Sequence, residues 1–314
     1  MQFLTIWTEK IEEKGEDAFP TLLLDEENQT GILAVYDGLG GSGSTLYKLG
    51  QKDFTGAYLA SRLAAQVTEQ AFVQLNPDLE DFTQQLKKYL QTAFTLKVAQ
   101  IDQQRSKLKS RLIRRLPTTI AGLWFRKLGE QSNDYETETF WAGDSRVYVL
   151  RKQGLQQISE DNLVENFDAL ENLQQDSPIS NCISADEDFD IFSKKHIFRE
   201  PIVLITTTDG TFGYLPTPAH FEYFLLATLH HPRVCTMEQW QEYLSVAFQI
   251  TTGDDMSLSL VALGFGTENL TLLKQATIER FIHVKKEYIL PLAQSYEYDI
   301  RERLWCKYKE NYYI

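Results

Sequence analysis

The chain of 314 residues carries 44 aspartates and glutamates against 31 lysines and arginines, a formal charge of −13 at pH 7. A net negative surface repels nucleic acid phosphates, which argues against DNA or RNA binding. No apolar run reaches the roughly 20 residues that span a bilayer, and the N-terminal sequence lacks the segments of a secretion signal, so we expect no membrane association. Cys182, Cys235 and Cys306 form no C-x-x-C pair, which is typical of reduced thiols in a cytoplasmic protein.

Short strands and pairs of helices alternate along the predicted fold. In chain order, the predicted strands cover Thr21–Asp25, Gly31–Asp37, Thr118–Arg126, Thr137–Arg151, Ile202–Thr208 and Ser257–Phe265. The predicted helices cover Phe54–Leu75, Asp78–Gln104, Pro218–Leu229 and Met237–Ile250. Strands joined by polar turns, with helices inserted in pairs, indicate an α+β fold with antiparallel sheets rather than a doubly wound parallel sheet.

No linker or internal repeat divides most of the chain, so residues 1–266 are predicted to form one domain. Residues 267–314 are predicted to form a C-terminal helical extension, because apolar side chains recur there at near-helical spacing up to Pro291. We expect this extension to pack on the domain core. The alternative is that it docks a partner or a regulator.

Aspartates follow the ends of two apolar strands. Asp37 ends one strand and is followed by Gly38, and Asp209 ends another and is followed by Gly210. Asp254 directly precedes the last predicted strand, and no lysine or arginine lies within two residues of these three aspartates. Because aspartate often caps backbone amides in turns, a purely structural role remains the alternative for each one alone.

These aspartates would repel one another if the fold brought them together. Two carboxylates about 4 Å apart repel by about 4 kcal/mol at an effective dielectric constant near 20, so they either hold protons or bind cations. A site built from oxygen ligands selects Mg²⁺ or Mn²⁺ rather than zinc. Gly38 fits such a site, because a residue without a side chain lets its carbonyl approach an ion.

Several segments resemble, in their order along the chain, the motifs of the type-2C protein phosphatases, the metal-dependent PPM family. They are Gly15-Glu16-Asp17-Ala18, GILAVYDGLGG at 31–41, Pro117-Thr118-Thr119-Ile120-Ala121, Ala142-Gly143-Asp144-Ser145-Arg146, Thr208-Asp209-Gly210 and Gly253-Asp254-Asp255-Met256-Ser257. Ser159-Glu160-Asp161 resembles the family's T-x-D turn. Each motif alone is weak, but their common order makes the resemblance specific over Glu12–Phe265.

The resemblance implies two antiparallel β-sheets packed face to face, with helices on both outer faces. It also implies two Mg²⁺ or Mn²⁺ ions at one end of this sandwich, with a third, weaker ion as in bacterial members. The implied metal residues are Glu16, Asp17, Asp37, Gly38, Asp144, Asp209 and Asp254. Asp37 would bridge two ions, Asp209 and Asp254 would hold the first, and Glu16 would contact the second. Asp144 would hold the third ion.

The implied activity is hydrolysis of phosphoserine and phosphothreonine in proteins by a metal-activated water, with Asp37, Asp209 and Asp254 as catalytic carboxylates. Metal ions suit this chemistry because phosphate-monoester hydrolysis has a very high uncatalysed barrier, which charge stabilisation lowers. The implied partners are a phosphorylated protein substrate and a serine/threonine kinase system, in cytoplasmic signalling.

The chain departs from the family pattern where the substrate phosphate binds. The family usually has an arginine four residues before the motif glutamate, and here that position is Glu12. Lys14 or Lys10 is the candidate replacement for phosphate binding, although lysine offers a point charge instead of a bidentate fork. Asp255 stands where the family has asparagine and is expected to add negative charge beside the cluster. The alternative function is therefore a catalytically weak phosphatase-fold module that binds phosphoprotein or metal in a regulatory role.

Residues 38–43, GLGGSG, also spell the dinucleotide-binding pattern G-x-G-x-x-G after a strand. That pattern requires a helix to begin at once and a second strand to follow. Gly50 and Gly56 argue against an immediate helix, and no strand is predicted before Asn76-Pro77. Asp37 would also place a negative charge beside a pyrophosphate, so a dinucleotide site is disfavoured.

Overall fold

The structure is a computed structural model that describes residues 1–75, 81–103, 113–129, 132–165, 167–175, 177–294 and 298–314. In chain order its strands are β1 (Gln2–Thr8), β2 (Thr21–Asp25), β3 (Thr30–Val35), β4 (Leu46–Leu49), β5 (Lys52–Thr55), β6 (Asp102–Gln103), β7 (Ile120–Lys127), β8 (Asp134–Ala142), β9 (Arg146–Arg151), β10 (Gly154–Gln157), β11 (Phe192–Arg199), β12 (Ile202–Thr207) and β13 (Met256–Leu263). Its helices are α1 (Gly56–Leu75), α2 (Phe82–Gln100), α3 (Asp209–Phe212), α4 (Pro218–Leu229), α5 (Met237–Gln249), α6 (Thr271–Val284), α7 (Leu290–Gln294) and α8 (Tyr298–Lys309). Among these residues, no helix combines the length and apolar composition needed to cross a bilayer.

Two five-stranded antiparallel sheets form the centre of the fold. The first has strand order β1-β13-β12-β9-β10, and the second has strand order β11-β8-β7-β3-β2. Their facing sides meet in a buried cluster that includes Val149, Leu204 and Val261 of the first sheet and Leu33 and Leu123 of the second. The central strands are buried on both sides, which explains their continuous apolar sequences. The predicted α+β fold with two sheets packed face to face is confirmed.

Helices cover both outer faces of this sandwich, as predicted. On the second sheet, Phe94 of α2 lies in one buried cluster with Trp124 of β7. On the first sheet, Trp240 of α5 lies in one buried cluster with Leu258 of β13. Complete burial of a large apolar side chain contributes roughly 2–3 kcal/mol, so these contacts fix the helices on the sheets.

The structure corrects two predicted elements that lie close in sequence to Asp37 and Asp144. The predicted helix Phe54–Leu75 begins at Gly56, because the preceding residues form the β4–β5 hairpin of a small third sheet with β6. The predicted strand Thr137–Arg151 is two strands, β8 and β9, joined by a turn in which Gly143 has φ +111°. Glycine adopts a positive φ readily, and a residue with this φ interrupts the extended backbone of a strand. Asp144 therefore lies in a turn and not within a strand.

Six strands, β1, β4, β5, β6, β10 and β11, have no predicted counterpart. Strand β1 is apolar on both faces, and β11 is an edge strand with mostly exposed polar side chains, so neither shows a clear alternation. The first strand of the chain is therefore β1 and not Thr21–Asp25. The predicted helix Asp78–Gln104 is observed as Phe82–Gln100, while residues 78–80 and 104 lie outside the described residues.

The C-terminal segment packs against α4 through a buried carboxylate. Glu222 of α4 is fully buried and accepts hydrogen bonds from Nε and Nη2 of Arg280, each at 2.7 Å. It also accepts a hydrogen bond from the Tyr308 hydroxyl at 2.7 Å and from the Leu155 amide at 3.1 Å. One carboxylate therefore links α4 to α6, α8 and β10. The domain boundary at residue 266 stays a prediction.

We predict that Arg280→Met lowers the free energy of unfolding by about 3 kcal/mol, because the substitution leaves the Glu222 charge buried without its cation. Urea denaturation of the full chain measures the change. The matched control is Lys286→Met, which removes a cation from an exposed ion pair with Glu287 and should cost less than about 0.5 kcal/mol. A loss below about 1 kcal/mol for Arg280→Met would contradict the role given to this ion pair.

Candidate metal centre

The strand register brings the predicted metal residues to one end of the sandwich. Asp37 follows β3, Asp209 follows β12, Asp254 precedes β13 and Asp144 lies in the β8–β9 turn. Since β12 is antiparallel to both β9 and β13, the end of β12 lies beside the start of each. The end of β3 lies beside the start of β7, which itself pairs with the end of β8. Four aspartates from distant parts of the sequence are thereby placed around one corner.

These carboxylates lie close enough to raise one another's pKa values. Burial, followed by the charges of Asp17, Asp209, Asp144 and Asp254, holds the pKa of Asp37 well above its usual value. Burial and the charge of Asp254 raise the pKa of Asp209 to about 6. Burial and the charge of Asp209 raise the pKa of Asp144 to about 7. The cluster therefore favours bound protons or a bound cation near neutral pH.

Asp17 is the most enclosed acid of the N-terminal motif. Its side chain accepts a hydrogen bond from the Thr208 hydroxyl at 2.9 Å, and the residue is only 3% exposed. Burial is the main cause that holds its pKa well above the usual value, and the charge of Asp209 adds to it. Asp17 thus belongs to the same group of mutually repelling carboxylates as Asp37.

Hydrogen bonds with the two residues that directly precede β7 fix the backbone at Asp37. The Asp37 carbonyl accepts from the Thr119 amide at 2.8 Å and from the Thr118 hydroxyl at 2.7 Å, and the Asp37 amide donates to Thr119 Oγ1 at 3.1 Å. A Cβ atom on Gly38 would lie 2.5 Å from the Glu16 carbonyl oxygen. The absence of a side chain at Gly38 therefore lets the two motif loops approach each other.

Glu16 reaches the same region from the loop after β1. Its Oε1 atom accepts a hydrogen bond from the Thr55 hydroxyl at 2.5 Å, and a Cβ on Gly40 would lie 1.9 Å from Oε2. Burial is the main cause that raises the pKa of Glu16, and the charges of Asp255 and Asp254 add to it. The glycine at position 40 is thus required for the carboxylate to occupy this place.

The expected extra charge of Asp255 has a structural use. Its Oδ1 atom accepts a hydrogen bond from the Lys10 amide at 2.7 Å, and its Oδ2 atom accepts one from the Glu16 amide at 2.6 Å. An asparagine has a single acceptor oxygen and could satisfy only one of these amides. The carboxylate therefore ties both ends of the loop between Lys10 and Glu16 to the start of β13.

Arg146 and Asp161, from the resembling G-D-S-R and T-x-D segments, form a buried ion pair. Nε of Arg146 lies 3.0 Å from Oδ1 of Asp161, and Nη2 lies 2.6 Å from Oδ2, an arrangement of two parallel hydrogen bonds. The guanidinium carbon is 4.2 Å from the centre of the Phe212 ring. The charge of Arg146 lowers the pKa values of both Asp144 and Asp209, which opposes the effect of burial.

The structure does not bring Lys14 into contact with the acidic cluster. Lys14 and Glu12 are exposed on the loop after β1, which Glu9 closes by accepting hydrogen bonds from the amides of Glu13 and Gly15 at 2.8 and 3.2 Å. Within the described part of the chain, no acidic side chain forms an ion pair with Lys14. Phosphate binding by Lys14 therefore stays a prediction.

The acidic side chains of the cluster are ligands that suit a hard divalent cation. They are not spaced as they would be around a bound ion. The acids supply oxygen ligands, and Oδ1 of Asp144 is buried without a hydrogen-bond partner. Oxygen ligands of this kind suit Mg²⁺ and Mn²⁺. In the described residues, no three acidic, histidine or cysteine side chains are arranged as a ready metal-binding group. Binding would therefore require these side chains to draw together.

A cleft of about 340 Å³ opens beside the cluster, with Asp144 and Asp209 at its wall. Arg146, Asp161 and Tyr214 line other parts of it. This gives the acids a route to solvent and space for a small anionic group.

The sequence patterns did not indicate that Thr55 would contact the site. The hydrogen bond between Thr55 and Glu16 joins residues 39 positions apart, and no motif includes Thr55. Thr118 and Thr119, by contrast, belong to a segment that resembles a family motif. Their hydrogen bonds to Asp37 cannot be predicted from that motif.

A comparison with protein-family models identifies one family for this chain. The family profile described as Protein phosphatase 2C matches residues 12–245, about three-quarters of the chain. A search of curated protein sequences gave no significant match.

Solved structures with a similar fold are bacterial phosphatases. A bacterial serine phosphatase superposes with a TM-score of 0.58 at 16% identity, over 85% of this chain and 100% of that one. Serine/threonine phosphatase Stp1 from Staphylococcus aureus superposes with a TM-score of 0.57 at 17% identity, over 84% and 94% of the two chains. The catalytic domain of the protein phosphatase PstP, solved with two manganese ions, gives a TM-score of 0.51 at 16% identity, over 83% and 98%. The chain therefore belongs to the protein phosphatase 2C family, the class of serine/threonine phosphatases that its motifs predicted.

Proposed function

We propose that this protein hydrolyses phosphoserine and phosphothreonine in proteins and requires Mg²⁺ or Mn²⁺. The observation that supports this most directly is the convergence of Asp37, Asp144 and Asp209, whose burial and mutual repulsion raise their pKa values. The free energy of such a group decreases when a divalent cation replaces its protons. The manganese ions of PstP, which has the same fold, support this choice of metal.

The proposed metal residues divide by position. Asp37 and Gly38 follow β3 of the second sheet, Asp209 and Asp254 lie beside the ends of β12 and β13 of the first sheet, and Glu16 and Asp17 lie on the loop after β1. Asp144, whose buried Oδ1 lacks a partner, is proposed to hold a third ion. Bound ions of this kind activate water and neutralise the charge of a phosphate ester.

The chain's own residues set the polar surroundings of this chemistry. The backbone at Asp37 is held by hydrogen bonds with Thr118 and Thr119, which fixes the point from which its carboxylate would reach a cation. Arg146 supplies a buried positive charge beside Asp144 and Asp209, but its fork is bonded to Asp161. We propose that Lys14, which is exposed on a loop beside Glu16, contacts the substrate phosphate instead.

A phosphorylated protein is the proposed substrate, and a serine/threonine kinase is the class of enzyme that must produce it. The three cysteines are free thiols in the structure, which supports a reducing, cytoplasmic setting for this reaction.

The second candidate function is a phosphatase-fold module that binds phosphoprotein or metal with little turnover. Glu12 favours it, because an exposed carboxylate stands where the family has an arginine that grips the phosphate. The second candidate is also favoured because, among the described residues, no three ligand side chains are spaced to hold a metal ion. Metal binding without hydrolysis would distinguish this module from an active enzyme.

We predict hydrolysis of p-nitrophenyl phosphate that depends on Mn²⁺ and falls at least about 100-fold in Asp209→Asn, because several kcal/mol of charge stabilisation are lost. The control is Asp299→Asn, which changes an exposed aspartate of α8 and should retain the full rate. Full turnover in Asp209→Asn would rule out the metal mechanism. Measurable Mn²⁺ binding with no rate above buffer would favour the binding module.

We predict that Glu12→Arg lowers the KM for p-nitrophenyl phosphate about tenfold, because one charge-assisted pair with phosphate is worth roughly 1.5 kcal/mol. Steady-state kinetics at saturating Mn²⁺ measure the change. Glu268→Arg is the control, since it makes the same change in net charge on an exposed loop beyond the opposite end of β13. Equal KM values for both variants would show that the loop after β1 does not reach the phosphate.

We predict that the metal-free protein becomes less stable as pH rises from about 4 to 7. The unfolded aspartates release their protons near pH 3.8, whereas folded Asp209 and Asp144 release theirs near 6 and 7. Between these values the folded state binds more protons, so the free energy of unfolding decreases with pH. Urea denaturation with a chelator measures the slope, which should be smaller in Asp209→Asn. Identical slopes in wild type and variant would contradict the raised pKa values.

A further inference from the structure

Glu16 is held by the start of α1, a segment that lies outside every matched motif. The Thr55 hydroxyl contacts Oε1 of Glu16 at 2.5 Å, and the Ser61 hydroxyl donates to the Glu16 carbonyl at the same distance. Arg62 donates from Nη1 to the Glu16 carbonyl at 3.3 Å and from Nη2 to the Gly15 carbonyl at 3.1 Å. The carboxylate of Glu16 is therefore held by the last residue of β5, and its backbone is held by α1.

The hydrogen-bond directions at Thr55 are determined by its neighbours. Thr55 directly precedes α1, and its Oγ1 accepts a hydrogen bond from the Tyr58 amide at 3.1 Å, as an N-cap residue does. Its single hydroxyl proton remains for Oε1 of Glu16, because an ionised carboxylate can only accept. Thr55 therefore couples the end of the β4–β5 hairpin, the first turn of α1 and the Glu16 carboxylate.

The second oxygen of the carboxylate is left available. Among the described residues, none donates a hydrogen bond to Oε2 of Glu16, which lies over Gly40 where a Cβ would approach to 1.9 Å. With Oε1 hydrogen-bonded to Thr55, Oε2 faces the glycine-rich loop after Asp37. Metal-ligating carboxylates are commonly hydrogen-bonded to the protein in this way, which leaves the other oxygen available for an ion.

We propose that Thr55 is a positioning residue that orients Glu16 for the divalent cation. This inference rests on the proposed function, since it assumes that Glu16 takes part in ion binding. Partners that orient metal ligands typically change metal affinity 10- to 100-fold when they are removed. Loss of the Thr55 hydroxyl should weaken ion binding while leaving the sandwich folded.

The test compares Mn²⁺ affinity, measured by isothermal titration calorimetry on the full chain, in Thr55→Val and Thr55→Ser. Valine keeps the shape but lacks the hydroxyl, so we expect about tenfold weaker binding. Serine keeps the hydroxyl and should bind Mn²⁺ within about twofold of wild type, a span set by the modest worth of one hydrogen bond.

A matched control separates orientation from the loss of a helix cap. Thr236 caps α5 by accepting a hydrogen bond from the Gln239 amide at 3.3 Å. Thr236→Val should cost about 1 kcal/mol of stability, as Thr55→Val does through its cap, but should leave Mn²⁺ affinity unchanged. Equal weakening of Mn²⁺ binding in both valine variants would overturn the positioning role.

Glu16→Gln distinguishes failure of this inference from failure of the proposed function. If Glu16→Gln weakens Mn²⁺ binding and Thr55→Val does not, Thr55 has no positioning role while the metal site stands. If wild type binds no Mn²⁺, or if Glu16→Gln binds as tightly as wild type, the assumed role of Glu16 fails and the inference fails with it. Weak binding in Thr55→Val with near-normal binding in Thr55→Ser would support it.

Discussion

Repulsion among carboxylates that are partly or fully buried is the constraint on which the site of this structure depends. Asp17, Asp37, Asp144 and Asp209 are each shifted toward the protonated form, with burial as the first cause. A close pair of such charges costs about 4 kcal/mol at an effective dielectric constant near 20, against a typical folding free energy of 5–15 kcal/mol. These carboxylates can therefore remain ionised together only if bound cations balance their charge. The apolar sandwich beneath it provides the stability that tolerates this concentration of charge.

Support for the charged corner comes from opposite sides of the fold. Thr118 and Thr119 fix Asp37 from the second sheet, whereas the C-terminal segment reaches the first sheet at Tyr148. There, Tyr148 accepts a hydrogen bond from Arg146 at 3.3 Å and shares one with Tyr312 at 3.1 Å. Arg146 also lowers the pKa of Asp144 and Asp209, so Tyr312 is linked through Tyr148 to the cation that partly balances the cluster. Packing of the C-terminal segment and electrostatics of the site are thus physically connected.

The sequence was informative where the relevant pattern is local. An apolar strand that ends in aspartate and glycine predicted Asp37 and Asp209, and the order of the motifs predicted the family and the sandwich. Strand β11 was missed because an exposed edge strand has no apolar alternation, and Asp144 was misplaced because its strand run hid the turn at Gly143. The contacts of Glu16 with Thr55 and with Asp255 join residues 39 and 239 positions apart. Such contacts are set by tertiary packing, which no local pattern encodes.

Glu12 and Asp255 both add negative charge at the loop after β1. The loop has lost the arginine that grips phosphate in the family, and its backbone is tied by two carboxylates, Glu9 and Asp255. Phosphate approaching this loop meets negative charge unless ions are present. Under the proposed function, the attraction for a phosphate ester would come mainly from cations bound by the aspartates, and the proposed contribution of Lys14 would be screened by solvent. Substrate affinity in this chain is therefore expected to follow metal occupancy more closely than in a relative whose arginine binds phosphate independently.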